Sequence, residues 1–203
     1  NAPEEILITK ENKKFNELNS NAIIGTSSYR REFQLKRIRN DLNYKTIRGN
    51  IDTRISKINN KDYDGIILAK AGIKSLDLDH LISQEFSTHE IIPSAGQGIV
   101  SIQCRENDTE VINILNKVND KISSISAEAE RKVLKILEGD CYTAVGVFSN
   151  INNDDFEISG ELFSLDGKKR FFKTIKDKIS NSLKVSIELG NYLKRESKDS
   201  YKK

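Results

Sequence analysis

The first part of the chain alternates short apolar runs with segments whose apolar residues recur at helical spacing. The run Gly65-Ile-Ile-Leu-Ala69 is apolar at nearly every position, which is typical of a strand covered by helices on both faces. Strands that alternate with helices at this spacing predict an α/β domain with a largely parallel sheet. The other predicted elements are strands at Glu5–Thr9, Ala22–Gly25 and Tyr44–Arg48, a helical turn at Asn12–Leu18, and helices at about Ser28–Asn40 and Ile51–Asn59.

After Pro93 the pattern changes to that of an α+β domain. Asp166-Gly167 separates two strand-like runs and is a good hairpin signal, so this half is expected to contain a small antiparallel sheet. In the closing helix, Leu183, Ile187 and Leu189 are the apolar positions. The predicted strands are Gly98–Cys104, Ala144–Phe148, Phe156–Leu165 and Lys168–Lys176, and the predicted helices are Asp108–Asn119, Ser126–Leu137 and Ser180–Leu193.

Composition excludes several classes of protein. The net charge of +3 is small and the charged residues are interspersed, apart from a basic tail after Lys194, whereas a nucleic-acid-binding protein concentrates basic residues on one face. With two cysteines and two histidines in the chain, we expect no metal site and free thiols in a reducing, cytoplasmic compartment. No apolar run is long enough to span a membrane, and no signal peptide is recognisable. Because the sequence lacks an initiator Met, we expect it to be part of a longer protein.

The segment Gly25-Thr-Ser-Ser-Tyr-Arg-Arg31 carries the strongest chemical signal. A strand, a small-residue turn and a basic helix start direct N–H groups, the hydroxyls of residues 26–28 and two guanidinium groups at one volume, which suits an anion. Arg48 and Arg54 flank a second turn after a predicted strand, at the sheet edge where ligands bind in α/β proteins. Arginine suits carboxylates because its fork makes two parallel hydrogen bonds. Ordinary surface arginines are the alternative interpretation.

Three further features each allow a functional interpretation and a purely structural one. Gly72 follows the central strand beside two lysines, where a flat ring could approach, although a tight strand-to-helix connection explains it equally well. Gln97 belongs to the loop Pro93–Gly98, which could be a ligand-binding loop or a hinge. Cys141 follows a helix predicted to end at Gly139 and could be a buried thiol or a reactive one on a turn.

These features occur in the order found in one family of enzymes. The chain resembles the porphobilinogen deaminases, also called hydroxymethylbilane synthases, from about residue 22 to 147, with a looser match to its end. The matching segments are Gly25-Thr-Ser-Ser-Tyr-Arg-Arg31, Arg48-Gly-Asn-Ile-Asp-Thr-Arg54, Tyr63-Asp-Gly-Ile-Ile-Leu-Ala-Lys-Ala-Gly72, Pro93-Ser-Ala-Gly-Gln-Gly98, Ala129-Glu-Arg131 and Leu137-Glu-Gly-Asp-Cys141.

The resemblance implies a transferase of tetrapyrrole and haem biosynthesis. Such an enzyme condenses four porphobilinogen molecules into hydroxymethylbilane with release of ammonia, and it is primed by a dipyrromethane cofactor joined through a thioether to the cysteine matching Cys141. It implies a monomer when full length, without nucleic acid or membrane as a partner. The residues implied to bind the acetate and propionate groups of cofactor and product are Thr26, Ser27, Ser28, Arg30, Arg31, Arg48 and Arg54, and Gly72 and Gln97 belong to the same predicted cofactor site.

The resemblance also implies an architecture. Residues 1–97 should be the second domain, an α/β lobe like those of periplasmic binding proteins. Residues 98–120 should be the return segment of a truncated first domain, and residues 121–203 a third, α+β domain that carries the cofactor cysteine. A return segment separated from its sheet exposes apolar edge, so we expect poor order or intermolecular pairing around Gly98–Val118.

The sequence departs from the family in three ways. The catalytic aspartate of the family lies in a segment before the first matched residue, and none of Asp41, Asp52 and Asp64 matches its motif, so no catalytic residue is assigned and the chain alone is expected to be inactive. Ser75 stands where many members have an arginine, and Asp140 replaces a glycine before the cysteine. The alternatives are a non-catalytic remnant that binds oligopyrroles or other polyanions, and a basic nucleic-acid-binding or scaffold protein.

Overall fold

A computed structural model of the chain describes residues 2–60, 62–140 and 142–202. These residues form two units, each with its own sheet and its own hydrophobic core. No helix within the described ranges is long and apolar enough to cross a bilayer.

The first unit is built on a five-stranded mixed sheet in the order β3-β2-β4-β1-β5. Strand β2 runs parallel to β3 and β4, but β1 runs antiparallel to both β4 and β5, so the prediction of a largely parallel sheet is wrong. Its strands are β1 (Glu5–Thr9), β2 (Ile23–Gly25), β3 (Asn43–Lys45), β4 (Gly65–Ala69) and β5 (Gln84–Phe86), and its helices are α1 (Tyr29–Ile38), α2 (Ile51–Asn59) and α3 (Lys70–Lys74).

Side chains of β4 enter a separate core on each face of this sheet, which explains its continuous apolar run. Ile67 packs with Leu7 and Leu35 on one face, while Ile66 packs with Ile6 on the other. Because successive side chains of a strand point to opposite faces, both sets of positions must be apolar. The predicted strand at Gly65–Ala69 and the predicted helix at Ile51–Asn59 are confirmed.

The antiparallel direction of β1 has a consequence for function. Glu5, the first residue of β1, lies opposite Ala69, the last residue of β4. The amino-terminal end of β1 therefore lies at the edge where the parallel strands β2, β3 and β4 end. An acidic residue is placed among the loops that carry the predicted arginines.

The second unit confirms the predicted α+β domain with an antiparallel sheet of order β6-β7-β8. Helices α5 and α6 pack on this sheet around a core that includes Val133, Leu189 and Leu193. Leu183 and Ile187, predicted as apolar-face positions of the last helix, are instead exposed. The elements are α4 (Thr109–Val118), α5 (Lys121–Leu137), β6 (Val145–Asn152), β7 (Asp155–Phe163), β8 (Arg170–Lys178) and α6 (Ser182–Ser197).

The start of α5 differs from the prediction, while its end at Leu137 agrees with it. Asp120 caps its start by accepting a hydrogen bond from the N–H of Ser123 at 2.7 Å, so the helix begins five residues before Ser126. It ends at Leu137, and the left-handed residue that follows is Glu138 rather than Gly139. The loop after α5 therefore begins one residue before Gly139.

The segment of residues 98–120 has the predicted helix α4 but lacks the predicted strand. No strand forms over Gly98–Cys104 in the described structure, and Val100 and Ile102 are 89% and 64% exposed. Neither sheet includes this run as a strand, so its apolar side chains have no neighbouring strand. Ile114 and Val118 of α4 are exposed as well, and a groove of about 500 Å³ runs between the two parts of the segment.

Contacts between described residues of the two units join them firmly. The N–H of Val147 in β6 donates to the carbonyl of Pro93 at 2.9 Å. Arg37 of α1 donates at 2.8 Å to the buried carboxylate of Glu161 in β7, and the rings of Phe33 and Phe163 meet edge to face at 5.8 Å between centroids. Helix α1 is thus held by contacts from the second unit.

We predict that replacing Val100 and Ile102 together by serine changes the free energy of unfolding by no more than about 0.5 kcal/mol, because both side chains are already in water. The same double variant should self-associate less than the unmodified chain, as measured by sedimentation velocity. Leu189→Ala is the matched control, since removal of a fully buried leucine should cost about 2–5 kcal/mol. A large loss of stability in the double variant would contradict the placement of residues 98–104.

Candidate anion-binding site

The site lies at the edge where β2, β3 and β4 end, and its first wall is the turn between β2 and α1. Thr26 is buried, and its hydroxyl oxygen accepts a hydrogen bond from the N–H of Ser28 at 3.2 Å. The Ser27 hydroxyl donates to the carbonyl of Ile47, and Ser28 caps α1 by accepting from the N–H of Arg31 at 3.4 Å. The three predicted hydroxyls therefore shape the turn, and the N-terminus of α1 faces the edge.

Arg30 lies inside the protein and does not line the solvent-facing side of the turn. Its side chain is 6% exposed, and Nη2 lies 2.6 Å from Oε1 of Glu5, which is fully buried. Nη1 donates to the carbonyl of Ile92 at 2.9 Å, and Nη2 also reaches Oε1 of Gln97 at 3.4 Å. The guanidinium of Arg30 is thus held by groups of the protein itself.

Arg31 makes looser contacts than its neighbour. Its Nε lies 2.9 Å from Oε2 of Glu5, but neither atom has a hydrogen bond with proper geometry among the described residues. Its Nη1 reaches the carbonyl of Ile67 only at 3.4 Å. The side chain is 13% exposed, so its guanidinium lies at the surface of the edge while that of Arg30 lies beneath it.

The charge state of Glu5 follows from competing effects. Burial raises the pKa of its carboxyl group, but the positive charges of Arg30 and Arg31 and the hydrogen bond from Arg30 outweigh burial and lower the pKa below its usual value. Glu5 is therefore ionised at neutral pH. An ionised carboxylate in this position compensates one of the two adjacent guanidinium groups.

Arg54 brings a further positive charge to the same edge. Asn50 caps α2 through hydrogen bonds to Thr53, and Nε of Arg54 donates to the carbonyl of Gly49 at 2.8 Å. Burial lowers the pKa of Arg54, and the charge of Arg31 lowers it further, with no acidic group acting in the opposite direction. The positive charge of Arg31 thus acts on Arg54, which is itself half-buried.

Arg48 lies on the same loop but is exposed. Its carbonyl accepts a hydrogen bond from Lys57 at 3.1 Å, and no ion pair involves Arg48 or Arg54 within the described part of the chain. Gly49 between them has a φ of +121°, a conformation that favours glycine, and a Cβ there would come within 2.7 Å of Thr53. The loop is therefore tightly fixed and presents Arg48 to solvent.

Gln97 contacts the ion pair directly. Its amide nitrogen donates to Oε1 of Glu5 at 3.0 Å and to the carbonyl of Pro3 at 2.6 Å. Its loop is fixed by Glu130 of α5, a buried carboxylate that accepts from the N–H of Gly96 at 2.7 Å and from the N–H and hydroxyl of Ser149 at 2.8 Å. The second unit thus holds the loop that supports the arginines of the first.

The remaining sequence-predicted positions have less direct roles. Gly72 lies in α3, where an added Cβ would come within 3.0 Å of Ile51, so it allows α3 to approach α2. Lys70 is paired with Glu85 at 2.6 Å, and Ser75 is exposed with its hydroxyl bonded to the carbonyl of Gly72. The structure therefore brings Arg30, Arg31 and Gln97 together around Glu5, while Arg54 lies in the first turn of α2 and Arg48 is exposed on the loop before that helix.

Cys141 lies outside the described residues. The neighbouring Asp140, which departs from the family pattern, has a defined role: its Oδ1 accepts hydrogen bonds from the N–H groups of Tyr142 and Thr143 at 2.9 and 3.0 Å. It also accepts from the Thr143 hydroxyl at 3.0 Å. Asp140 thus fixes the backbone at Tyr142 and Thr143.

The sequence analysis assigned no role to two acidic residues of the site, Glu5 and Glu130. Glu5 lies in a run of otherwise mainly apolar strand residues, and such a buried charge signals a partner within the fold. Glu130 lies on the buried face of α5 together with Ala129 and Val133. A charged residue on that face likewise indicates a partner within the fold. No group of three or more His, Cys, Asp or Glu side chains suited to a metal ion occurs in residues 2–60, 62–140 and 142–202.

The geometry as a whole suits a ligand with several negative charges. Arg31 and Arg54 offer permanently charged donors in a partly buried setting, and α1 adds the N–H groups of its first turn. Carboxylates and phosphates are the groups that such forks bind. The site defines a class of protein that binds polyanions at the carboxyl end of a mixed α/β sheet.

Comparisons with known proteins identify the family. Residues 1–113 match the family described as "Porphobilinogen deaminase, dipyromethane cofactor binding domain", and residues 124–196 match "Porphobilinogen deaminase, C-terminal domain". The chain is 42% identical over 190 residues to the porphobilinogen deaminase of Caldicellulosiruptor saccharolyticus and 41% identical over 191 residues to that of Clostridium novyi. The chain belongs to the porphobilinogen deaminase family.

The matches cover most of this chain but only part of each relative. They include 90% and 91% of the chain, and 65% and 64% of the proteins from C. saccharolyticus and C. novyi. A third relative, the porphobilinogen deaminase of Exiguobacterium sibiricum, is 42% identical over 167 residues, which are 81% of the chain and 54% of that protein. The chain thus spans less than two thirds of the length of these relatives.

We predict that Glu5→Gln lowers the free energy of unfolding at pH 7 by about 3–5 kcal/mol, because it leaves the buried Arg30 without its compensating charge. Since folding lowers the pKa of Glu5, its ionised form stabilises the protein above the ordinary pKa of 4.5, and this contribution is lost as the pH falls further. The difference between the two proteins should therefore shrink below pH 4.5 in urea unfolding experiments.

Glu11→Gln is the matched control for this prediction, since the Glu11–Lys13 ion pair lies on the surface. It should leave the free energy of unfolding unchanged. A Glu5→Gln protein as stable as the unmodified chain, or a deficit that stays constant from pH 7 to acid, would contradict the assigned role of Glu5.

Proposed function

We propose that the protein to which this chain belongs acts as a porphobilinogen deaminase, or hydroxymethylbilane synthase, in tetrapyrrole biosynthesis. The reaction condenses four porphobilinogen molecules into hydroxymethylbilane and releases ammonia at each condensation. The single observation that carries the proposal is the presence of two half-buried arginines at this edge, Arg31 and Arg54, of which Arg54 takes part in no ion pair among the described residues. Porphobilinogen carries an acetate and a propionate group, so a growing oligopyrrole requires repeated cationic partners of this kind.

The residues of this edge fit a dipyrromethane cofactor as well, because that group carries the same two kinds of carboxylate. Arg31, Arg48 and Arg54 would bind these carboxylates, and Cys141 would hold the group through a thioether. When bound, the cofactor supplies the pyrrole carbon to which the first substrate is added. The guanidinium groups keep their charge at every pH at which the protein is folded, so they orient each carboxylate without exchanging a proton.

The residues of this edge bind and orient carboxylates. Glu5 is ionised at neutral pH, but its negative charge is already compensated by Arg30 and Arg31, so it is not available to stabilise a cation. The group that stabilises the cation formed on loss of ammonia is therefore proposed to lie elsewhere in the protein. We assign it to the catalytic aspartate that the family carries in the segment preceding the residues matched here, and we propose that the present chain alone does not turn over.

We propose the domain division that the family resemblance implies. Residues 1–97 form a carboxylate-binding lobe of the periplasmic-binding-protein type, residues 98–120 return to another domain, and residues 121–203 form the domain of the cofactor cysteine. The exposed Val100, Ile102 and Ile114 support the assignment of the middle segment, because these residues require a partner surface. We place the complete protein in the cytoplasm as a monomer.

The proposal predicts that the complete protein carries two pyrrole units on Cys141 when it is purified. Intact mass spectrometry under denaturing conditions, followed by peptide mapping, should find this adduct on the peptide that contains Cys141. The Cys141→Ser variant should lack both the adduct and porphobilinogen consumption, whereas Cys104→Ser should retain both. A complete protein that consumes porphobilinogen with Cys141 unmodified would contradict the proposal. A binding protein without turnover would show no consumption in either variant or in the unmodified protein.

A further inference from the structure

The last turn of α5 is completed by groups from outside the helix. An α-helix leaves the carbonyl groups of its last four residues without partners inside the helix. At the end of α5, the carbonyls of residues 134 and 135 accept hydrogen bonds from the N–H groups of Glu138 and Gly139, which follow directly. The carbonyls of Ile136 and Leu137 are instead bound by side chains of α6 and of the segment after it.

Lys194 and Tyr201 supply these two side-chain donors. Nζ of Lys194 donates to the carbonyl of Ile136 at 3.2 Å, and the hydroxyl of Tyr201 donates to the carbonyl of Leu137 at 2.9 Å. Tyr201 is only 3% exposed, whereas the side chain of Lys194 is 37% exposed. The bond from Tyr201 is therefore the more important one, because its loss leaves a carbonyl without a partner away from water.

The segment that carries Tyr201 is itself fixed. Lys198 and Asp199 both have left-handed backbone conformations, with φ of 46° and 55°, where the chain turns after α6. The carbonyl of Ser200 accepts a hydrogen bond from the N–H of Leu165 at 3.0 Å, which ties the segment to the chain just after β7. The ring of Tyr201 belongs to the hydrophobic core of the second unit. Tyr201 is thus held from both sides and presents its hydroxyl to α5.

Two ion pairs lie beside this hydrogen bond. Oε2 of Glu138 lies 2.7 Å from Nζ of Lys202 and 3.4 Å from Nζ of Lys194. Because the side chain of Glu138 is 64% exposed, water screens these pairs and they contribute little to stability. The two lysines bring positive charge to the C-terminal end of α5, which the helix dipole favours. We therefore assign the main role to Tyr201 and a supporting role to the lysines.

The turn after α5 is bound internally and attached at its two ends. Asp140 accepts hydrogen bonds from the N–H groups of Tyr142 and Thr143, and its own N–H donates to the Thr143 hydroxyl oxygen at 3.0 Å. At the far end, the carbonyl of Ala144 accepts from the N–H of Phe163 at 3.0 Å. Since the described residues of the turn are bound to one another, its place depends on where the chain leaves α5 and where it enters β6.

We propose that Tyr201 is a positioning residue for the cofactor, because it fixes the last turn of α5 and so sets where the turn of residues 138–143 leaves that helix. In the sequence this turn includes Cys141, the cysteine of the proposed thioether. The inference deepens the proposed function and rests on it for the role of Cys141. It places a requirement for cofactor attachment in a segment beyond residues 124–196, which match the C-terminal domain of the family.

The first test measures the position of the turn with two nitroxide spin labels in the purified chain. One label is attached at Tyr142→Cys, since Tyr142 is 56% exposed, and the other at Asn59→Cys at the end of α2. Cys104 and Cys141 are replaced by serine, and the distances are measured by double electron–electron resonance. Adding Tyr201→Phe, which removes only the hydroxyl, should widen the distribution of distances at least about twofold.

A second pair of labels is the control for the rest of the fold. It joins Asn59→Cys to Asn191→Cys on the exposed side of α6, and Tyr201→Phe should leave its distribution unchanged. Tyr192→Phe is the matched control variant, because Tyr192 also lies in the second unit but packs its ring on Lys173 at 4.8 Å. Tyr192→Phe should leave both distributions unchanged.

The second test measures the consequence for the cofactor in the complete protein. By intact mass under denaturing conditions, the fraction of molecules with two pyrrole units should be at least about threefold lower in Tyr201→Phe than in the unmodified protein. A purely stabilising role for Tyr201 would lower the Tm without changing this fraction or the distances. Unchanged distances to the turn, an equal change in the control pair, or an unchanged fraction with the adduct would overturn the inference.

These outcomes separate the inference from the proposed function. If the unmodified complete protein lacked the adduct but Tyr201→Phe widened the distances, the proposed function would fail and the positioning of the turn by Tyr201 would stand. If the adduct were present to the same extent in the unmodified protein and in Tyr201→Phe, the function would stand and the role of Tyr201 would fail.

Discussion

The buried ion pair between Glu5 and Arg30 is the interaction on which the site depends. It joins the first residue of β1 to the first turn of α1, and the carbonyl of Ile92 and the amide of Gln97 complete it. Removing either charge from water is costly, so such a pair persists only where hydrogen bonds satisfy both partners. At Arg30 this condition is met, and the position of α1 relative to the sheet edge is fixed as a result.

The second unit contributes to the site through a second buried carboxylate. Burial raises the pKa of Glu130, although three hydrogen bonds from Gly96 and Ser149 partly oppose the shift. Through these bonds a helix of one unit holds the loop that carries Gln97 against the ion pair of the other. The site is therefore built by both units, even though its cationic side chains come from one of them.

The local elements of the first unit could largely be predicted from the sequence. The turn from β2 into α1 and the whole of α2 follow from apolar spacing, small turn residues and the caps Ser28 and Asn50. The strand order could not be predicted in this way, because the direction of β1 depends on long-range pairing with β4 and β5. A parallel β1 would have put Glu5 at the opposite edge, so the wrong sheet type also concealed the most important residue of the site.

Two other differences have a related cause. The run of residues 98–104 has the composition of a strand, but strand propensity is realised only beside a partner strand, and both sheets are complete without it. In α6 the apolar residues surround much of the helix, and packing against α5 and the sheet selects Val185, Leu189 and Leu193 for the core. Composition therefore identified the elements, whereas tertiary contacts decided which faces and which charges were buried.

The account makes one central claim, that the buried Glu5–Arg30 ion pair supports an anion-binding site at this edge of the sheet. It is tested most directly by NMR detection of the guanidinium Nε–H groups in the ¹⁵N-labelled chain during titration with succinate. We expect the signals of Arg31 and Arg54 to move together along one saturation curve. No movement of these two signals during the titration would contradict the account.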